Sequence, residues 1–144
     1  MLDAGYSGTP LAKKLGLKPG QAAAFVALPD SLDALAQAEA FARLARVKTA
    51  AELDGGYDLV HAFFRSLADL KTAMPVLKAA IRPAGMIWIS WPKKAAKLAT
   101  DVSENLIRDC ALDAGLVDVK VCAVDEVWSG LKLVIPIAAR PPLH

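Results

Sequence analysis

Apolar residues in this chain gather into runs of strand length. Ala22 to Pro29, Ala84 to Ile89 and Leu133 to Ala139 are the longest. Strands of a parallel sheet are covered on both faces, so they read as unbroken apolar segments of this kind. A helix that crosses a bilayer needs about 18–20 consecutive apolar residues, and no run approaches that. Between the runs lie stretches with helical spacing. The order reads strand-helix-strand, strand-helix-strand-helix-strand, then a hairpin strand. Such alternation predicts a three-layer α/β fold, with a mostly parallel sheet of about six strands, helices on both faces and a C-terminal antiparallel strand.

The elements follow from local signals. Thr9 and Pro10 open a short helix over Leu11 to Leu15, which Gly16 ends. Gln21 to Leu28 is the first strand. Asp30 or Ser31 caps a second helix, from Leu32 to about Arg43. Arg46 to Thr49 is a brief strand, and Asp54-Gly55-Gly56 is a turn. Asp58 to Phe64 is a strong strand. Ser66 then caps a helix whose Leu67, Leu70, Met74, Leu77 and Ile81 share one face, with Pro75 expected to kink or split it. Arg82-Pro83-Ala84-Gly85 turns into a strand from Met86 to Trp91. Asp101 and Glu104 form a capping box for a helix from Val102 to Ala114, closed by Gly115. In the strand Val117 to Val124, Val117, Val119 and Val121 take one face and Asp118, Lys120 and Cys122 the other. Asp125 to Gly130 then leads to a last strand, Leu131 to Ile137, as its antiparallel neighbour, with pairing weakened at Pro136. Arg140 to His144 is a tail.

At 144 residues the chain reads as a single domain over 1–144, with a short helical arm over about 1–18. Asp3, Gly5 and Ser7 leave no apolar core for a signal peptide, so a cytoplasmic location is expected. The net charge of +2 is too small to point to nucleic acid, although lysines cluster at Lys13-Lys14 and at Lys93-Lys94-Lys97. Cys110 and Cys122 have no Cys-x-x-Cys partner and read as two buried, reduced thiols, with no metal site. The apolar composition, at 55%, is compatible with a homodimer.

The closing hairpin resembles that of class I methyltransferases, which insert an antiparallel strand into a Rossmann-like sheet. Leu15-Gly16-Leu17-Lys18-Pro19-Gly20 resembles the way those enzymes approach their first strand. Leu77 to Ser90 is similar to their late helix and strand. The chain also resembles a bacterial family of small uncharacterised proteins, a domain of unknown function. That likeness is carried by Gly5-Tyr6-Ser7-Gly8-Thr9-Pro10-Leu11-Ala12-Lys13-Lys14-Leu15-Gly16, Ser90-Trp91-Pro92-Lys93-Lys94 and Val124-Asp125-Glu126-Val127-Trp128-Ser129-Gly130-Leu131-Lys132. The resemblance implies a trimmed, Rossmann-like, methyltransferase-like scaffold and supplies no activity.

One expected motif is absent. After the first strand a cofactor-binding domain needs glycines that let the ligand lie against the backbone. Here stand Pro29-Asp30-Ser31. Pro29 removes an amide donor, and Asp30 puts a negative charge where phosphate would come. The plain reading of Asp30 is a helix cap. No cofactor is therefore expected, with S-adenosylmethionine the alternative.

Ligands of open parallel sheets bind beyond the carboxyl ends of the strands. Two segments belong there. In Ser90-Trp91-Pro92-Lys93-Lys94, the lysines can pair with an anion and Trp91 can stack on a ring, although charge-rich loops are most often surface. In the hairpin, Asp125 and Glu126 can act as acid or base or simply pair with lysines, with Trp128 and Ser129 beside them. Ser90, Trp91, Lys93, Lys94, Asp125, Glu126, Trp128 and Ser129 are thus the candidate ligand-binding residues. No residue is assigned a catalytic role: Ser7 is not in a Gly-x-Ser-x-Gly elbow, and His61 reads as a hydrogen-bonded core residue near Arg65. The expectation is a non-catalytic module that binds a small anionic ligand or a protein. The alternative is a divergent S-adenosylmethionine-dependent methyltransferase, with an open pocket beside Leu28 to Asp30 and with Glu52 or Asp54 as its ribose-binding acid.

Overall fold

The computed structural model describes residues 10–141. The expectations for Gly5 to Gly8, for Thr9 as a cap and for His144 lie outside the described residues. Six strands form one sheet: β1 (Ala22–Val26), β2 (Arg43–Val47), β3 (Tyr57–Phe63), β4 (Ile81–Pro92), β5 (Val117–Ala123) and β6 (Trp128–Val134). Their order is β2-β1-β3-β4-β6-β5. The first four run parallel, and β6 is antiparallel to both β4 and β5. The α/β architecture with a closing antiparallel strand is the expected one. After β2 the chain returns through a 3₁₀ turn (Ala50–Glu52) straight to β3. Among the described residues no strand lies outside β2, so the sheet is a doubly wound sheet cut short at that edge.

Period-two alternation sends each strand's side chains into two layers. Ile87, Ile89 and Trp91 of β4 join Val60, Ala62, Leu131 and Leu133 on one face. That face is covered by α3 (Leu67–Ala80), through Leu70, Met74 and Leu77, and by α4 (Glu104–Asp113), through Ile107 and Ala111. Phe25, Leu59, Phe63 and Trp88 fill the other face. Its cover is thin: α1 (Leu11–Lys14), the loop holding Leu15 and Leu17, and a 3₁₀ turn (Asp30–Leu32) that runs into α2 (Asp33–Ala36).

Several local expectations change. The second helix does not reach Arg43; α2 ends at Ala36 and β2 begins at Arg43. The reason is backbone pairing: Gly20 donates to the Ala40 carbonyl (2.9 Å) and Ala42 donates to that of Gln21 (3.0 Å), which draws 40–42 out alongside the approach to β1. These tertiary bonds override the helix propensity of the alanines. α3 runs unbroken through Pro75. Pro75 and Lys71 sit on its exposed side, where water can take the carbonyl left without a donor. The cap of α4 is Ser103, whose Oγ accepts from the Leu106 amide (3.3 Å). Asp101 instead accepts from the Leu67 amide (2.7 Å) and so ties this loop to the start of α3, where Ser66 caps as expected. In β5 a bulge between Asp118 and Lys120 separates Asp118 from Lys120 and Cys122, which were expected to share a face with it. Asp118 turns to α4 and pairs with Arg108 (3.0 Å), while Lys120 and Cys122 take the α1 face. The two thiols are half-buried rather than buried, and desolvation raises both.

The turn Arg82 to Gly85 lies inside β4 as a bulge, because Tyr57 pairs with Ile81 and Leu59 already pairs with Met86. A Cβ on Gly85 would sit 3.0 Å from the carbonyls of Arg82 and Tyr57 and from Ile81 Cβ. Backbone cannot retreat as a side-chain tip can. Gly85→Ala is expected to cost about 1–3 kcal/mol, read as a lower denaturant midpoint.

Candidate functional site

β1 and β3 run side by side while their onward connections diverge, which makes their carboxyl ends the switch point of the sheet. β1 stops at Val26. Ala27 follows, exposed and left-handed at φ 56°, held there by its amide's bond to the Val47 carbonyl (2.8 Å). An alanine in that region is strained, and strain of this kind collects at functional sites. Leu28 then dives into the α1–α2 layer. Asp30 makes no cap hydrogen bond; it lies 3.8 Å from Arg46, which also pairs with Asp33 and donates to the Leu28 carbonyl (3.2 Å). The turn where glycines are missing is thus held by an arginine.

Beside Ala27 opens a cleft of about 340 Å³ between the ends of β1, β2 and β3 and the flank of α3. Val26, Ala50, Phe63, Phe64 and Ala73 make its floor. Lys48, Thr49, Arg65, Asp69 and Thr72 supply its polar groups. Arg65 is braced by a bond from its Nε to the Ala99 carbonyl (3.1 Å), and its own carbonyl accepts from Thr100 Oγ1 (2.8 Å). The methyltransferase alternative expected a pocket beside Leu28 to Asp30, next to this cleft, but no residue type at Ala27 marks it; the signal there is a backbone angle.

Neither acid considered for a ribose is free to serve. Glu52 folds back on its own turn and accepts from the amides of Thr49 (2.8 Å) and Lys48 (3.0 Å). The Thr49 amide foremost holds its carboxyl below the usual range. Asp54 sits at the opposite, amino end of the sheet. It accepts from Tyr57 Oη (2.6 Å) and pairs with Arg43, whose guanidinium lies over the Tyr57 ring at 4.2 Å. The Tyr57 hydroxyl foremost holds the Asp54 carboxyl low.

The two sequence-predicted segments do meet. Trp91 pairs with Ser129, Pro92 with Trp128, and Lys93 donates to the Val127 carbonyl (2.7 Å). Their side chains part company, however. Trp91 enters the α3–α4 layer, whereas Trp128 enters the other, edge-on to Phe63. Asp125 caps the hairpin through bonds from the amides of Val127 (2.9 Å) and Trp128 (2.7 Å), and Glu126 is exposed. Lys93 and Lys94 rim a second, more open groove of about 760 Å³, bounded by Trp91, Leu98 and the start of α4 at Ser103 to Asn105. Lys97, in the same loop, is the other non-glycine among the described residues with a left-handed backbone.

Ser90 is fully buried and bonded to His61 (Oγ to Nε2, 2.7 Å). His61 stacks on Phe63, with a centroid distance of 4.3 Å, and lies near Phe25 and Trp88. Burial pushes its pKa down to about 3, so the imidazole is neutral. The pair is core, as expected for His61.

No helix among the described residues is long and apolar enough to cross a membrane. The fold superposes on those of known methyltransferases. A SAM-dependent methyltransferase from Aquifex aeolicus superposes with a TM-score of 0.63 at 18% identity, over 86% of this chain and 87% of that one. Magnesium protoporphyrin IX methyltransferase (ChlM) from Synechocystis PCC 6803 with bound SAM gives 0.62 at 17%, over 88% and 74%. Antibiotic-resistance methyltransferase Kmr gives 0.54 at 13%, over 87% and 91%. At these identities the likeness is one of fold. No curated protein matches the chain. Residues 12–137 match the family described as "Protein of unknown function (DUF3052)", and the chain therefore belongs to that family.

Proposed function

We propose that this chain is a small-ligand-binding module on a methyltransferase-like scaffold, with its ligand in the cleft at the switch point. The observation that carries this reading is the cleft itself, an apolar floor beside the strained Ala27, rimmed by two cations, Lys48 and Arg65, against one acid, Asp69, with Thr49 and Thr72 between them. Such a lining favours a small molecule with an apolar body and an anionic group. The histidine–hydroxyl pair His61–Ser90 is sealed in the core and offers a bound molecule no acid or base. The groove at Lys93 and Lys94 is the second place for an anion.

A second reading is a S-adenosylmethionine-dependent methyltransferase. It is favoured by the fold's likeness to ChlM with bound SAM. The engagement of Glu52 and Asp54 with their own neighbours counts against it.

Thermal unfolding with S-adenosylmethionine, S-adenosylhomocysteine, adenosine, citrate and inorganic phosphate separates the possibilities. A ligand at 100 times its Kd adds about 2.7 kcal/mol of stability. The expected result is a shift with at least one anionic probe that disappears in Thr72→Trp, which fills the cleft from an exposed position, and weakens in Lys48→Ala/Arg65→Ala. Lys93→Ala/Lys94→Ala should leave it unchanged. A shift lost only in the last variant would move the site to the groove. No shift with any probe would overturn the reading. A cleft-dependent shift with S-adenosylmethionine and its demethylated product alone would favour the methyltransferase.

A further inference from the structure

Every ion pair among the described residues is made by an arginine: Arg43, Arg46, Arg82 or Arg108. The lysines are left over, and several meet on the α1 face of β4, β6 and β5. Lys120 stands directly opposite Lys132 across the hairpin. Lys132 in turn pairs with Trp88, whose indole N–H is bonded to the Leu15 carbonyl (2.8 Å) just past α1. That contact brings Lys14 and Lys18 alongside. Burial first, and then the charges of Lys120 and Lys18, lower the Lys132 ammonium, while Lys14, Lys120 and Lys93 all act on the Cys122 thiol between them.

The nearby acids do not answer these charges. The β5 bulge turns Asp118 to the far face with Arg108, and Asp125 is spent on hairpin amides. Glu126 stands exposed at the hairpin tip, with no ion pair among the described residues. Like charges directly opposite on a sheet destabilise it, and here nothing within the described fold offsets them.

We propose that this face binds the phosphate backbone of duplex nucleic acid without reading its sequence. Lysine supplies a point charge and lacks the planar fork that reads guanine edges. Trp88 and Trp128 are buried, so this face offers none of the stacking platforms that hold unpaired bases. The exposed Leu112 lies on α4, and Val121 points to the α4 face, so neither supplies an apolar wedge for a membrane on this one. The net charge of +2 is a sum over the whole chain and does not describe the charge of this one face. The surface lies on the opposite layer from the cleft, so it does not depend on the ligand proposed there.

Fluorescence anisotropy with a labelled duplex of about 20 base pairs tests this. With three to five phosphates neutralised, affinity should fall about 40- to 500-fold between 50 and 200 mM salt. Lys120→Glu converts a like-charge pair into an opposite-charge one. It should raise the melting temperature while weakening binding at least tenfold at low salt, a combination that misfolding cannot produce. Lys14→Ala/Lys18→Ala should weaken binding similarly and flatten the salt dependence. Lys71→Glu, on the exposed side of α3, should change affinity by less than about twofold. The proposal fails if the duplex does not bind at low salt, or if Lys71→Glu weakens binding as much as Lys120→Glu. Tighter binding to phosphatidylserine vesicles or to polyglutamate than to the duplex would also overturn it.

Discussion

Trp88→Ala is expected to destabilise the protein by about 3–5 kcal/mol, the cost of emptying a large buried aromatic site. Trp88 has no exposed surface and stands at the centre of the thinner layer. It also holds that layer's cover in place, because its indole N–H donates to the Leu15 carbonyl. The truncation therefore removes a core side chain and unfastens the loop after α1 together. Trp88→Phe separates the two roles. It keeps most of the packing and orphans a buried carbonyl, at an expected cost of about 1–3 kcal/mol. Urea midpoints with an unchanged slope would give both values. A loss below about 1 kcal/mol for Trp88→Ala would mean that the α1 cover is not docked as described.

Acid is the second large lever. His61 in the unfolded chain takes a proton near pH 6.5, whereas burial holds the folded imidazole neutral down to about pH 3. Between these values the unfolded state binds more protons, so stability rises with pH. The contribution is fully present above 6.5 and is lost as pH falls toward 3, at up to about 1.4 kcal/mol per pH unit. The total is on the order of 4–5 kcal/mol, a large share of the stability of a small fold. His61→Gln keeps a partner for Ser90 Oγ without titrating at this pH. Its stability should vary much less between pH 6.5 and 4, even if it is lower at neutral pH. A wild-type protein equally stable at pH 4 and pH 7 would contradict the buried, neutral assignment.

The large elements were legible in the sequence because each has a local cause. The apolar runs marked β1, β3 and β4. The stripe Leu70, Met74, Leu77 marked α3, and Ser66 marked its start. The last strands announced their antiparallel pairing through a short connection. What was not legible depends on partners far away in the chain. Ala38 to Ala42 are good helix formers, yet bonds to Gly20 and Gln21 hold part of this stretch extended. Asp101 has the spacing of a helix cap, but its carboxylate is taken by the amide of Leu67. The β5 bulge decides which of Asp118 and Lys120 faces which layer, and no residue type in that strand signals it. At the site, the loops around Lys93 and Asp125 were correctly expected to adjoin. A pocket near Leu28 was expected only under the methyltransferase alternative, and its lining was not legible because its most telling residue is an alanine, distinguished only by its backbone angle.

The place of β6 has a consequence for the order of assembly. β6, the last of the described strands in the sequence, lies inside the sheet, between β4 and β5. During synthesis the amino-terminal four strands can pair in sequence, but β5 has nothing to pair with until Trp128 to Val134 emerge. Domains tend to fold as they are made, from the amino end. Here that vectorial process must pause, with one long edge of β4 open and α4 tethered to an unpaired strand. Completion is then a single late event, in which the hairpin closes and docks as one piece.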